Sequence, residues 1–167
     1  MQKKSVQAII CGLNDAGVRY LIAGGLAVVA HGYGRFTADV DLILDLEAAN
    51  VRKALRALAA LGYRPRAPVR LEDSGDPNVR AKWIQKGMTV FSMDSPAHPA
   101  TEIDFFVELP LDFDKAHRSA LKLEMTAGIM ALFVGFDDLV ALKQKAGRPL
   151  DLTDLEQLRL INERKSE

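Results

Sequence analysis

Leu21-Ile22-Ala23-Gly24-Gly25-Leu26-Ala27-Val28, followed by Arg35-Phe36-Thr37-Ala38-Asp39-Val40-Asp41-Leu42, is the stretch that decides the fold. It reads as an apolar strand, a double-glycine turn, a short helix and a second strand that carries two aspartates. Alternate residues of a strand share a face, so Asp39 and Asp41 point the same way. Two neighbouring carboxylates repel each other unless a cation sits between them. Hard oxygen ligands on a rigid strand suit Mg²⁺ or Mn²⁺, and Mg²⁺ is commonly shared between carboxylates and substrate phosphates. Gly24 and Gly25 supply the complementary half: they let backbone approach a ligand closely, and the helix they open presents free N–H groups to a phosphate.

Either element alone is common, since Asp-x-Asp occurs on acidic surface strands and Gly-Gly marks ordinary turns. Their order, and the intervening Arg35-x-Thr37, are more specific. Together they resemble the nucleotidyltransferase superfamily related to DNA polymerase β, and within it the minimal nucleotidyltransferases and AbiEii-type toxin enzymes. The likeness is close over Leu21–Leu44, with looser echoes to the C-terminus. It implies an α/β (α+β) nucleotidyltransferase fold: a mixed twisted sheet flanked by helices, with C-terminal helices packed near the site.

The resemblance also implies a third metal-site carboxylate on a following strand. Thr101-Glu102-Ile103-Asp104-Phe105-Phe106-Val107 is an apolar strand interrupted by Asp104. As a metal ligand Asp104 joins Asp39 and Asp41; the competing reading makes it a solvent-facing residue of an edge strand. On the family pattern Gly24 and Gly25 cradle the β- and γ-phosphates, and Arg35 and Thr37 steady the triphosphate. Asp104 also helps take the acceptor proton.

Lys143 and the segment Arg148-Pro149-Leu150-Asp151-Leu152-Thr153-Asp154 echo a second family feature, a helical lysine followed by a basic-Asp-x-x-Asp helix start. On that reading Lys143 offsets charge as pyrophosphate departs, while Arg148, Asp151 and Asp154 belong to the nucleotide site. The alternatives are purely structural: Asp151 as a helix cap, Asp154 as a first-turn acid favoured by the dipole, Lys143 as a solvated side chain.

The activity implied is Mg²⁺-dependent transfer of a nucleoside monophosphate from a nucleoside triphosphate, such as ATP, to an acceptor hydroxyl. The AbiEii likeness favours RNA (a tRNA end) or a protein side chain, with a cognate antitoxin or toxin as partner. An antibiotic acceptor, aminoglycoside or lincosamide, is the second enzymatic reading, and a non-catalytic nucleotide-binding or antitoxin-like partner is a third.

Bulk properties agree with a globular protein. The chain has 167 residues, 49% hydrophobic and 26% charged, with zero net charge. One domain over 1–167 is expected, with a core at 18–134 and a helical part at 135–167. No apolar run reaches the roughly 20 residues of a membrane span, and no signal-peptide core follows the N-terminal lysines, so a cytoplasmic location is expected. The single cysteine, Cys11, excludes an intramolecular disulfide and reads as a buried thiol. His31, His98 and His117 lack zinc-ligand spacing, and no P-loop or Rossmann fingerprint is present. Arg64, Arg66, Arg70, Arg80, Lys82 and Lys86 concentrate positive charge in one stretch, either a solvated basic face or an acceptor surface.

The remaining elements follow from periodicity. Helices are expected over 5–17, 26–30, 46–61 and 136–146, with a last helix from Asp151 or Thr153 that turns Leu152, Leu155, Leu158 and Ile161 to one face. Strands are expected over 18–23, 39–45 and 101–107, with a hairpin at 120–133. Val79, Ala81 and Trp83, then Met88, Val90, Phe91 and Met93 beyond Lys86-Gly87, suggest a strand pair.

Overall fold

Seven strands hydrogen-bond into one mixed sheet in the computed structural model of the chain, which describes residues 1–166, the last two by backbone alone. They are β1 (Tyr20–Ile22), β2 (Asp39–Leu44), β3 (Arg64–Pro65), β4 (Val90–Asp94), β5 (Glu102–Phe106), β6 (Leu121–Thr126) and β7 (Ile129–Phe133). Their order across the sheet is β3-β4-β5-β2-β1-β7-β6. The helices are α1 (Lys3–Asp15), α2 (Gly24–Ala30), α3 (Ala48–Ala60), α4 (Pro77–Gln85), α5 (Phe113–Arg118), α6 (Phe136–Ala146) and α7 (Pro149–Ser166).

Burial follows the apolar pattern. All three residues of β1 are buried, as expected for a central strand covered on both faces. β2 alternates at its start, with Val40 and Leu42 buried and Asp39 and Asp41 only partly so. Val6, Ile9, Ile10 and Leu13 of α1 meet Val51, Ala54, Leu55 and Leu58 of α3 in the core. Phe91 and Phe105 stack across β4 and β5 with ring centroids 4.9 Å apart. Tyr63 is fully buried and satisfies its hydroxyl by donating to the Thr101 carbonyl at 3.0 Å.

β2 and β5 are parallel neighbours, and their register sets Asp41 directly opposite Asp104. β5 is also paired with β4 on its other side, so it is an interior strand and Asp104 is not an edge residue. α6 packs on α2, which brings the C-terminal helices beside the start of β2.

Residues 77–85 differ from the strand expected there. They form α4, with Pro77 as its first residue and the Asp76 carboxylate accepting from the Asn78 N–H at 2.8 Å. Asp-Pro is a helix-start signal, because the acid caps an orphan N–H and proline has none to lose. The apparent alternation of Val79, Ala81 and Trp83 is incidental. Only β4 remains of the expected strand pair, with Trp83 stacking on Phe91 from the helix. α7 begins at Pro149, earlier than expected, and its inner face is Asp151, Asp154, Leu155 and Leu158, while Leu152 is 57% exposed. Cys11 is half-buried rather than sealed.

If the Asp76 cap holds the start of α4, Asp76→Ala costs about 1 kcal/mol of stability in urea denaturation.

Candidate active site

The carboxylates of Asp39, Asp41 and Asp104 converge so that one oxygen of each lies within 4.8 Å of the others. Strand geometry alone produces this: two residues apart on β2 share a face, and the β2–β5 register adds the third. The Thr37 hydroxyl donates to Asp39 Oδ1 at 2.9 Å, which fixes one carboxylate. Asp104 Oδ1 is buried and has no hydrogen-bond partner among the described residues. A buried, unpaired acceptor is costly, and a cation held by the three aspartates would satisfy it. The donor set is wholly carboxylate oxygen, so the residues present fit Mg²⁺ or Mn²⁺. Burial, together with Asp39 and Asp104 beside it, pushes the Asp41 carboxyl up to about 6.

The double glycine faces this cluster. Gly24 has φ +59°, and a Cβ there would fall 1.7 Å from Asp41 Oδ2. A Cβ on Gly25 would fall 2.5 Å from Thr37 Oγ1. Both positions therefore need glycine so that the turn can lie against β2. His31, at the far end of α2, contacts the Val134 carbonyl through Nε2 at 2.9 Å and packs edge-on to Phe136, a structural arrangement.

The opposite wall is a chain of ion pairs. Arg35 engages Asp154, with Nη2 donating to Oδ2 at 3.0 Å and Nε 2.7 Å from Oδ1 in an ion pair without hydrogen-bond alignment. Lys143 Nζ lies 2.8 Å from both Asp154 Oδ2 and Asp151 Oδ1. Arg148 closes the chain, its Nε donating to Asp151 Oδ2 at 2.7 Å. Asp154 is 0% exposed and Lys143 4%, so the solvated reading of Lys143 does not hold. Asp151 sits two residues inside α7 and also accepts from the Arg148 N–H at 3.2 Å, as the acid of a capping box does. Burial alone would raise its carboxyl, but hydrogen bonds from Arg148 and Lys143 outweigh that and hold it at about 2.

These groups share one cleft of about 850 Å³. Gly24, Gly25, Arg35, Thr37, Asp39, Asp41, Asp104, Lys143, Arg148 and Asp151 all line it. Asp154 does not; it lies behind, holding Arg35 and Lys143. Of the three cations in this network Arg148 is the most open, with 74% of its side chain exposed.

Sequence reading did not single out the rest of the lining: Ile84, Met88, Val90, Phe106 and Glu108 on one side, Leu142 and Lys145 on the other. Assigning 77–85 to a helix from Asp76-Pro77 would have brought Ile84 toward the site. Glu108 carries no comparable local signal. Not all of the basic stretch is free at the surface: Arg80 is buried and donates to the Ser74 and Leu46 carbonyls, and Arg66 pairs with Glu102.

No protein-family model matches the chain, and no curated protein matches its sequence. Among solved structures it resembles the aminoglycoside nucleotidyltransferase ANT(2″)-Ia, in a crystal structure containing adenylyl-2″-tobramycin. The TM-score is 0.58 at 14% identity, over 96% of this chain and 87% of that one. The fold is the nucleotidyltransferase fold.

Two outcomes test the site. Without divalent cations, the folded protein keeps the Asp41 proton up to about pH 6, whereas the unfolded chain loses it near 3.8. Ion-free stability therefore falls as pH rises between these values, and the Tm gain on adding Mg²⁺ grows as pH passes 6 in differential scanning fluorimetry. Asp154→Ala strips a buried partner from two cations, so it costs about 3–5 kcal/mol in urea denaturation. Lys143→Met costs less, because each carboxylate keeps an arginine.

Proposed function

We propose that this chain is a divalent-cation-dependent nucleotidyltransferase, with residues 1–167 acting as one catalytic unit. The observation that carries the reading is the convergence of Asp39, Asp41 and Asp104 in a cleft walled by the Gly24-Gly25 turn and by Lys143 and Arg148.

In the proposed reaction the acceptor oxygen forms a bond to the α-phosphorus of a nucleoside triphosphate. The bond from that phosphorus to the oxygen bridging toward the β-phosphorus breaks, and pyrophosphate leaves with its electron pair. The hydroxyl proton passes to a carboxylate, assigned to Asp104, and then to solvent. Mg²⁺ held by Asp39, Asp41 and Asp104 would neutralise charge on the attacking and leaving oxygens. Thr37 keeps Asp39 oriented through its 2.9 Å hydrogen bond. Gly24 and Gly25, lacking side chains, let the turn sit directly against Asp41 and Thr37, which puts its backbone beside the carboxylates. Asp151 and Asp154 act through the cations they hold: three positive side chains against two carboxylates leave one net positive charge on this wall. Arg148, exposed and near the aspartates, brings that charge to the pyrophosphate end.

ATP is the proposed donor and a small hydroxyl-bearing molecule the proposed acceptor, both suggested by the adenylyl-2″-tobramycin in the neighbouring structure. The toxin–antitoxin reading, with a tRNA end or protein side chain as acceptor, rests on the sequence echoes alone. The burial of Arg80 and the pairing of Arg66 with Glu102 take two of the six cations of the 64–86 stretch away from an RNA surface.

Incubation with α-³²P-labelled ATP, Mg²⁺ and candidate acceptors tests the proposal. Asp104→Asn reduces transfer below detection, while the Tm without metal stays at or above that of the wild type because one repelling charge is gone. Transfer at the wild-type rate by this variant would refute the assignment.

A further inference from the structure

We infer that the acceptor is a small amphipathic hydroxyl compound bearing at most one ammonium group, and neither a polycation nor a polyanion. The inference rests on the nucleotidyltransferase reading above and concerns the chemistry of the second substrate.

It comes from a census of the charge that the cleft has left to offer. The three aspartates face one another and would be taken up by the cation. Arg35, Lys143 and Arg148 are committed to Asp151 and Asp154. The surfaces that remain for a nucleobase and an acceptor are apolar: Met88, Val90, Phe106 and Leu109 on one side, Leu142 and Leu150 on the other. Within them stand one carboxylate, Glu108, and one ammonium, Lys145, both exposed. Neither forms a hydrogen bond or ion pair with another described residue. Glu108 stands on the Phe106 side and Lys145 on the Leu142 side. Asp104, assigned above to the acceptor proton, lies on β5 with Phe106, so the acceptor takes that side, an apolar wall with a single carboxylate, and the base takes the Leu142 side.

That composition discriminates by charge. A molecule with several ammonium groups would bring all but one of them against hydrocarbon without a counter-charge, and an uncompensated charge taken from water is expensive. A nucleic-acid end fares no better, because binding a polyanion needs several free cations in register with its phosphates. Among the cations that line the cleft, Arg35, Lys143 and Arg148 are paired with Asp151 and Asp154, which leaves Lys145. An apolar body seated on Met88, Val90 and Phe106, with one ammonium toward Glu108 and a hydroxyl toward Asp104, leaves no charge unmatched.

Isothermal titration calorimetry on the full chain, loaded with Mg²⁺ and the non-transferable analogue α,β-methylene-ATP, tests this. Three probes separate the classes: lincomycin (an amphipathic monocation), tobramycin (a polycation) and tRNA (a polyanion). Lincomycin is expected to bind at least about tenfold more tightly than either of the others, and Glu108→Gln to weaken it about three- to tenfold, the range of a single exposed charge contact. Preference for tobramycin or tRNA, no binding of lincomycin, or an unchanged lincomycin affinity in Glu108→Gln overturns the inference. Binding of the nucleotide analogue is measured first: its absence sinks the nucleotidyltransferase reading, whereas its presence with the wrong acceptor preference sinks only the acceptor class.

Discussion

The parallel register between β2 and β5 brings the Asp41 and Asp104 carboxylates side by side, and electrostatic repulsion between them is the constraint that the surrounding structure answers. Asp39 adds a third negative charge on the same face. Burial makes the arrangement worse, since a partly enclosed carboxylate loses hydration that would otherwise screen it. The raised Asp41 carboxyl and the unpartnered Asp104 Oδ1 are two marks of the same unresolved charge. A site that only had to be stable would place apolar or amide side chains here. A cation held among the three carboxylates would relieve it.

Across the cleft the opposite solution is used. Five charged side chains alternate in sign from Arg35 through Asp154, Lys143 and Asp151 to Arg148, and the inner members are sealed from solvent. Desolvating such groups is costly, so the network is better understood as a positioning device than as a source of stability. It ties the loop before β2 to α6 and α7, which lie about a hundred residues further along the chain. Arg35 and Lys143 are thereby held on the wall of the cleft that the aspartates share.

The parts of the site legible in the sequence are those whose geometry is local. Asp39 and Asp41 share a face because a strand has a period of two, and Gly24-Gly25 between a strand and a helix marks a close backbone approach. The helical spacing of α1 and α3 was equally readable. In α4 the short-range alternation of Val79, Ala81 and Trp83 mimics a strand, although Asp76-Pro77 starts a helix. The face of α7 is hidden from its sequence for a deeper reason: Leu152 looks like a core residue, yet Asp151 and Asp154 occupy the inner face. An apolar pattern locates the buried side of a helix only when no ion network claims it.

What the sequence by itself determined was therefore the identity of the elements around Leu21–Leu44 and the chemistry of their side chains, since both depend on neighbours within a few residues. Tertiary structure alone decided that β5 lies beside β2 in the register that completes the carboxylate triad. It also decided that Asp154 is a hidden anchor rather than part of the cleft wall, and that apolar side chains from α4, β4 and β5 form the remaining surface. Strand order and helix docking are set by how distant apolar faces pack together, a long-range sum of many weak contacts that no short stretch of residues encodes.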